Sequence, residues 1–224
     1  MSSRGLFITV EGIDGCGKST QARLIAAALE AAGHDVLRLR EPGGVKISEQ
    51  IRAILLDPAN AEMGDVCELL LYEAARAQLV HQVIRPALAA GKTVVCDRFY
   101  DSTTAYQALP MVGPQHGVSG KRARGGRLPS RPHARVRPAV EDALRRSGRE
   151  AEDRLELKGL EFQERVAAGF RAVAADEPDR VKLIDAGESI AEVFSGVAAE
   201  LRSAGLSMSE DDVAAAMQAC QGKC

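Results

Sequence analysis

The feature of this sequence that most constrains its fold is a glycine-rich stretch near the N-terminus. A short apolar run, Leu6–Val10, precedes this stretch, and Lys18–Ala32, with apolar residues at helical spacing, follows it. Residues 12–19, GIDGCGKS, match the pattern G-x-x-x-x-G-K-[ST]. Glycines let successive backbone N–H groups turn toward one point, and the N-terminus of a helix favours an anion there. The pattern and its strand–helix context predict a site for a nucleoside triphosphate.

The positions of this loop have expected roles toward the nucleotide. Lys18 is expected to reach the β- and γ-phosphates, and the Ser19 hydroxyl is expected to bind Mg²⁺. ATP and Mg²⁺ are therefore the predicted cofactors. The residues predicted to bind them are Gly12, Ile13, Asp14, Gly15, Cys16, Gly17, Lys18, Ser19 and Thr20. The alternative is a glycine-rich turn without a ligand.

Composition narrows the class of protein. The 224 residues are 46% hydrophobic and 27% charged, which suits one well-buried α/β domain. The net charge of -2 gives no general attraction to nucleic acid or to membranes, and neither is expected as a partner. The five cysteines are scattered and the N-terminus lacks the pattern of a signal peptide, so we expect a cytoplasmic protein.

The rest of the chain alternates strand and helix patterns. Asp35–Arg40, Thr93–Asp97 and Val181–Asp185 are predicted strands. Helices are predicted at Ser48–Leu56, Asp65–Leu88, Glu152–Ala175 and Ser189–Arg202. This alternation predicts a three-layer α/β P-loop fold with a central parallel sheet. One domain is expected over residues 1–203. Residues 204–224 are expected to form a loosely held tail with one short capped helix, because the apolar face of that helix is mostly alanine.

Two further clusters fall at the carboxyl ends of predicted strands, the edge at which open α/β sheets bind ligands. REPGG, residues 40–44, follows the second strand, and DRFYDS, residues 97–102, follows the third. An arginine at this edge can donate two parallel hydrogen bonds to a phosphate, although Asp-Arg is also a common structural ion pair. No base-specific Asn/Thr-Lys-x-Asp segment is found in the sequence, so a GTPase is not expected.

Together these segments resemble the thymidylate kinase family in its bacterial form. The segments that carry the resemblance are VEGIDGCGKST, REPGG, LLLYEAARAQ and DRFYDSTTAYQ. The similarity extends over residues 7–107 and about 140–201. It implies transfer of the γ-phosphoryl group of MgATP to thymidine monophosphate, for the synthesis of dTTP, by a homodimer formed through the long helices. The alternatives are another nucleoside monophosphate kinase or a nucleotide-binding homologue with impaired catalysis.

The resemblance also implies roles for individual residues. Arg98 would bind the phosphate of the acceptor. Tyr72 would lie along the base, Arg76 would contact the thymine edge, and Tyr106 would crowd the sugar 2′ position. Simple packing is the alternative for the last three. The full set of predicted substrate-binding residues is Asp14, Glu41, Tyr72, Arg76, Arg98, Ser102 and Tyr106.

Arginines that stabilise the transition state are expected in a lid. The family places such an arginine either inside the P-loop, where this chain has Gly15, or in a mobile lid, which residues 145–156 resemble. An exposed, salt-bridged helix start is the alternative for this segment. The predicted catalytic residues are Lys18, Arg98, Arg149 and Arg154, and the predicted metal ligands are Ser19 and Asp97.

Residues 107–138 do not match the family. They contain seven lysines and arginines, no acidic residue and no aromatic residue, and they lack strand or helix periodicity. Since the family has an inner strand in this interval, we expect a sheet that lacks one strand and a chain that is weakly folded or poorly active. Val181–Asp185 could then pair with Thr93–Asp97 instead.

Three explanations for this segment stand open. A nucleic-acid-binding loop would normally interleave aromatic residues, and a disordered insertion would not explain the absent strand. The third is a local displacement of the reading frame. Arg131–Arg137 can be written with the codons CGA CCT CAC GCT CGT GTT CGA C. Read one base later, these codons would give Asp-Leu-Thr-Leu-Val-Phe-Asp, a typical buried strand.

Overall fold

A central parallel sheet of five strands organises the protein, as seen in a computed structural model. The structure describes residues 5–107, 155 and 158–220, and the backbone of 133–137. The strands are β1 (Phe7–Glu11), β2 (Val36–Arg40), β3 (Thr93–Asp97), β4 (His133–Arg137) and β5 (Val181–Asp185). Their order is β2-β3-β1-β4-β5, and all neighbouring pairs are parallel. The predicted α/β class is confirmed.

Helices connect these strands. They are α1 (Lys18–Ala31), α2 (Lys46–Leu56), α3 (Asp65–Leu79), α4 (Arg85–Ala89), α5 (Tyr100–Thr103), α6 (Gly159–Asp176), α7 (Ile190–Ser203) and α8 (Glu210–Cys220). The single helix predicted over Asp65–Leu88 is interrupted, since a π-helical segment, Val80–Ile84, joins α3 to α4. This segment ends two residues before Pro86, which has no N–H to donate to the preceding turn. No helix in the described part of the chain is long and apolar enough to cross a bilayer.

The expectation that the sheet lacks an inner strand is wrong, because the backbone of residues 133–137 forms that strand. β4 lies between β1 and β5, paired with β1 at Val10 and Glu11 and with β5 along all five of its residues. Because β3 pairs with β1 and β2, the alternative pairing of β5 with β3 is wrong as well. Main-chain hydrogen bonds require no apolar side chains, so a segment without the pattern of a buried strand can still complete a ladder.

Apolar side chains cover both faces of the sheet. Ile8 and Val10 of β1 belong to the larger core cluster, which also contains residues of α1, α6 and α7. Phe7 of β1 points to the other face, where it packs with Leu79 and Phe99. This alternation is what β-strand geometry requires, and all five residues of β1 are buried because both faces of the sheet are covered.

The C-terminal helix is held more firmly than the sequence suggested. Leu206, Met208 and Ala216 are buried in the same core cluster as α1, against which α8 packs. Small alanine side chains allow two helices to approach closely, so an alanine-rich face can make a close contact. The predicted cap forms, since the Ser209 backbone N–H donates to Asp212 and the Asp212 N–H donates to Ser209 Oγ. The division at residue 203 stays a prediction.

Candidate active site

The phosphate loop connects the central strand β1 to the N-terminus of α1, as its motif predicted. Gly15 has φ of 74° and Gly17 has φ of 88°, conformations that residues with a side chain rarely adopt. Gly17 is also the N-cap residue directly before α1. The loop thus lies at the carboxyl edge of the sheet, with a helix N-terminus behind it. This is a favourable arrangement for binding phosphate.

The ammonium group of Lys18 lies inside the curve of this loop. The side chain is largely buried, and Nζ donates a hydrogen bond of 2.5 Å to the carbonyl oxygen of Ile13. Nζ is also 3.7 Å from Asp14 Oδ1 and 3.8 Å from Cys16 Sγ. The loop therefore encloses a positive charge at the place where the motif predicts one.

The two predicted metal ligands are brought together. Ser19 Oγ, in the first turn of α1, lies 2.5 Å from Asp97 Oδ2 at the end of β3. Hydroxyl and carboxylate oxygens are the ligands that suit Mg²⁺, which keeps several waters and phosphate oxygens around it. Groups of three or more His, Cys, Asp or Glu side chains placed to hold a metal are absent from the described residues. The pair fits an ion that is shared with a nucleotide.

Arg98 links the end of β3 to the phosphate loop. Its backbone has φ of 69°, and among the described residues it is the one non-glycine residue with a positive φ. Its Nη1 donates to the carbonyl of Gly12 at 2.9 Å and to Ser102 Oγ at 3.2 Å. Its Nη2 donates to Asp14 Oδ1 at 2.5 Å. The guanidinium is thereby fixed beside the predicted triphosphate site.

Asp14 and Tyr106 complete the surroundings of this arginine. The Tyr106 hydroxyl lies 3.2 Å from Asp14 Oδ2, and the Arg98 guanidinium carbon lies 5.0 Å from the centre of the Tyr106 ring. Burial alone would raise the pKa of Asp14, but the charges of Arg98 and Lys18 outweigh it and hold that pKa below its ordinary value. Asp14 is therefore ionised at neutral pH. Burial raises the pKa of Tyr106, which stays neutral.

A second buried pair joins β2 to α3. Arg76 Nε donates to Glu41 Oε2 at 2.7 Å, and the same guanidinium donates to Glu73 and lies 5.2 Å from the centre of the Phe99 ring. Burial raises the pKa of Glu41 to about 7 although Arg76 opposes the change; Glu11 and Glu73 add to the rise. The other carboxyl oxygen of Glu41, Oε1, has no hydrogen-bond partner within the described residues.

One cleft gathers all of the predicted substrate-binding residues. Counted out to its open mouth and including open solvent, it contains about 540 Å³ of space between protein atoms. The predicted residues that line it are Asp14, Glu41, Tyr72, Arg76, Arg98, Ser102 and Tyr106. Arg149 and Arg154, the predicted lid arginines, lie outside the described residues.

The cleft also contains residues that the sequence reasoning missed. They are Pro42, Arg52, Leu56, Phe99, Thr103, Gln107 and Leu155. Helical spacing could have revealed several of them, since Phe99, Thr103 and Gln107 follow one another at intervals of four along the segment that carries Ser102. Arg52 and Leu56 have the same spacing on α2.

A comparison with protein families identifies the chain. The model of the family described as thymidylate kinase matches residues 10–197. The chain belongs to the thymidylate kinase family. Membership confirms the resemblance inferred from the motifs, and it makes the protein a member of a family of nucleoside monophosphate kinases.

Individual thymidylate kinases are similar along most of their length. The thymidylate kinase of Exiguobacterium sibiricum is 44% identical over 188 residues, which is 83% of this chain and 89% of that protein. That of Solidesulfovibrio magneticus is 44% identical over 212 residues, covering 88% of this chain and 100% of the relative. The crystal structure of thymidylate kinase from Ehrlichia chaffeensis superimposes with a TM-score of 0.68 at 29% identity, covering 88% of this chain and 99% of that one.

Proposed function

We propose that this chain phosphorylates thymidine monophosphate with ATP and Mg²⁺, giving thymidine diphosphate and ADP. The observation that carries the proposal is the position of Arg98, whose side chain lines the cleft and also contacts Gly12 and Asp14 of the phosphate loop. A phosphate held by this arginine lies next to the γ-phosphate of a nucleotide in the loop. Relatives named thymidylate kinase support thymidine monophosphate as the acceptor.

The phosphate loop is proposed to bind ATP, the phosphoryl donor. Its N–H groups and Lys18 bind the β- and γ-phosphates, which places the γ-phosphorus at the mouth of the cleft. Ser19 and Asp97 would hold Mg²⁺, and the bound ion would neutralise charge on the phosphate oxygens. The described protein groups that balance the remaining charge are Lys18 and Arg98. Their positions supply the electrostatic stabilisation on which phosphoryl transfer mainly depends.

The acceptor side needs no strong base. A phosphate oxygen of the acceptor is already ionised near neutral pH. The protein therefore has to orient this oxygen and reduce its repulsion by the γ-phosphate of the donor. Arg98 would do this with the positive charge of its guanidinium, and ionised Asp14 keeps the guanidinium in place through its 2.5 Å hydrogen bond. Arg149 and Arg154 are proposed to complete the charge balance when a lid closes, which would also exclude water.

The remaining cleft residues suit a nucleoside. Tyr72 and Phe99 offer ring faces or edges to a base, and Arg76 offers donors to its carbonyl oxygens. Because Glu73 and the ionised form of Glu41 balance the charge of Arg76, this arginine can lie against a neutral base at a smaller desolvation cost. Tyr106, buried near Arg98, is proposed to limit the space at the sugar 2′ position.

An assay of ADP release with the purified chain, ATP and Mg²⁺ tests the proposal. Thymidine monophosphate should give turnover well above that of the other nucleoside monophosphates. Lys18→Ala should abolish turnover, whereas the matched control Lys92→Ala, which removes an exposed lysine paired with Asp35, should not. Preference for a different monophosphate would contradict the substrate. ATP binding without any turnover would instead indicate a nucleotide-binding homologue.

We also propose a homodimer. Ile47 and Ile54 of α2 and Val66 and Leu70 of α3 are each between 47% and 58% exposed, and each pair shares one face of its helix. Large apolar side chains exposed together favour association with a second copy. The double variant I54E/L70E should run as a monomer in size-exclusion chromatography with light scattering. The control Ile190→Glu, at another exposed apolar site, should leave the dimer intact.

The cysteines support a reducing compartment, and we propose the cytoplasm. Cys16, Cys67 and Cys96 form no disulfide within the described part of the chain. Proteins kept in oxidising compartments commonly form disulfides, and free thiols are typical of the cytosol.

A further inference from the structure

An ion pair remote in sequence supports the segment that carries Arg98. Arg180 lies in the turn before β5, and its guanidinium forms two hydrogen bonds with the carboxylate of Asp101 in α5, 79 residues away. Nη1 donates to Asp101 Oδ2 at 2.7 Å and Nη2 donates to Oδ1 at 3.0 Å. Asp101 is fully buried and Arg180 is nearly so. Two parallel bonds between planar groups fix orientation as well as distance.

The same guanidinium makes two further contacts. Nε donates to Glu177 Oε2 at 2.8 Å, which anchors Arg180 to its own turn. Its carbon lies 4.9 Å from the centre of the Tyr100 ring. Arg180 thus holds the first two residues of α5, Tyr100 and Asp101, against the turn between α6 and β5. This contact lies outside the cleft, because neither Arg180 nor Asp101 lines it.

The position of α5 determines where two cleft residues point. Asp101 is three residues after Arg98 and directly before Ser102. Arg98 Nη1 donates a hydrogen bond of 3.2 Å to Ser102 Oγ. Arg98 has a positive φ, which is unfavourable for a residue with a side chain and persists only when the flanking structure enforces it. On its N-terminal side, the Arg98 N–H is fixed to the Val10 carbonyl at 2.9 Å. On its C-terminal side, the fixed element is α5.

We propose that Arg180 is a positioning residue, which acts through Asp101 to hold the turn that directs Arg98 and Ser102 into the cleft. It therefore sets the affinity for the acceptor monophosphate without contacting it. This inference rests on the proposed function. The donor site is formed by β1, the phosphate loop and α1, and none of these elements forms one of the hydrogen bonds of Arg180 given above. Although Arg98 also contacts Gly12 and Asp14 of the loop, the loop is held by its own strand and helix, so the affinity for ATP should depend on Arg180 far less.

Two variants separate positioning from simple stability. Arg180→Lys keeps the positive charge and loses the planar fork, and R180M/D101N removes both charges, so that neither carboxylate nor guanidinium is left buried alone. Arg165→Met is the matched control, because it breaks an exposed pair between an arginine and Glu161 on α6. Circular dichroism at the assay temperature establishes that each variant is folded.

The decisive measurement is the Michaelis constant of each substrate. Both variants should raise the KM for thymidine monophosphate about 10-fold, as expected for a displaced phosphate ligand, and change the KM for ATP less than about 2-fold. Arg165→Met should change neither. Unchanged KM for the monophosphate, equal changes in both constants, or loss of folding in both variants would each overturn the inference. Wild-type protein without thymidine monophosphate turnover would instead contradict the proposed function.

Discussion

The buried carboxyl group of Glu41 should make the stability of this protein depend on pH near neutrality. Its pKa is about 7, against an ordinary value of 4.5, because burial disfavours the ionised form more strongly than Arg76 favours it. Between these pH values the folded protein binds a proton that the unfolded chain has lost. The stabilisation from this group is therefore complete below pH 4.5 and is lost as the pH rises through 7.

The size of the effect follows from the two pKa values. Since each pH unit between them changes the free energy by about 1.4 kcal/mol, Glu41 should lower the free energy of unfolding by about 3 kcal/mol across this interval. Glu41→Gln removes the titration but keeps an oxygen that can accept the hydrogen bond from Arg76 Nε. The variant should therefore lack this loss, and its stability relative to wild type should increase as the pH rises.

Urea denaturation followed by far-ultraviolet circular dichroism, at pH values from 4.5 to 8, measures the difference directly. The chain has no tryptophan, so fluorescence is a weaker probe. Glu161→Gln controls for removal of a carboxylate, because Glu161 is exposed and such pairs contribute little. A difference between wild type and Glu41→Gln that is constant with pH, or that changes in the opposite direction, would refute the reasoning.

Three other expectations concern a close helix contact, the metal ligands and the basic strand. Gly169→Ala would place a Cβ 3.0 Å from Ala105 Cα, so thermal denaturation should show that the free energy of unfolding falls by about 1–3 kcal/mol. The control Gly196→Ala, whose new Cβ would lie 3.8 Å from an Ile184 methyl group, should be neutral or stabilising. Asp97→Asn should raise the Mg²⁺ concentration needed for half-maximal turnover several-fold, and an unchanged requirement would remove Asp97 from the metal site. Replacing residues 131–137 by Asp-Leu-Thr-Leu-Val-Phe-Asp should raise the free energy of unfolding by more than about 2 kcal/mol, because a central parallel strand is normally apolar; unchanged stability would count against the frame-displacement hypothesis.

The sequence predicted the parts of the site that depend on local patterns. The residues of the phosphate loop follow a motif of fixed spacing. Ser19 lies in the first turn of a helix and Asp97 ends a strand, and both elements could be predicted from the β–α alternation, so the contact between Ser19 and Asp97 could be inferred as well. The strands at Thr93–Asp97 and Val181–Asp185 have the predicted bounds for the same reason.

Features that depend on tertiary packing were not predicted. Arg180 and Asp101 are 79 residues apart, and nothing in either local pattern indicates that they meet. The alanine-rich face of α8 gave no sign of its contact with α1, because close helix packing depends on shape rather than on large apolar side chains. The position of β4 escaped prediction because main-chain pairing leaves no pattern in the side chains.

The cleft is assembled almost entirely from one half of the chain. Of the described residues that line it, all except Leu155 lie between Asp14 and Gln107, and the phosphate loop falls within the same part of the sequence. If the cleft and the loop bind the two nucleotides as proposed, none of the described binding residues except Leu155 lies beyond Gln107. A chain altered only beyond residue 107 would then still bind both nucleotides without transferring the phosphoryl group, and it would withdraw thymidine monophosphate from solution. Under the proposed function, binding and turnover depend on different parts of the sequence.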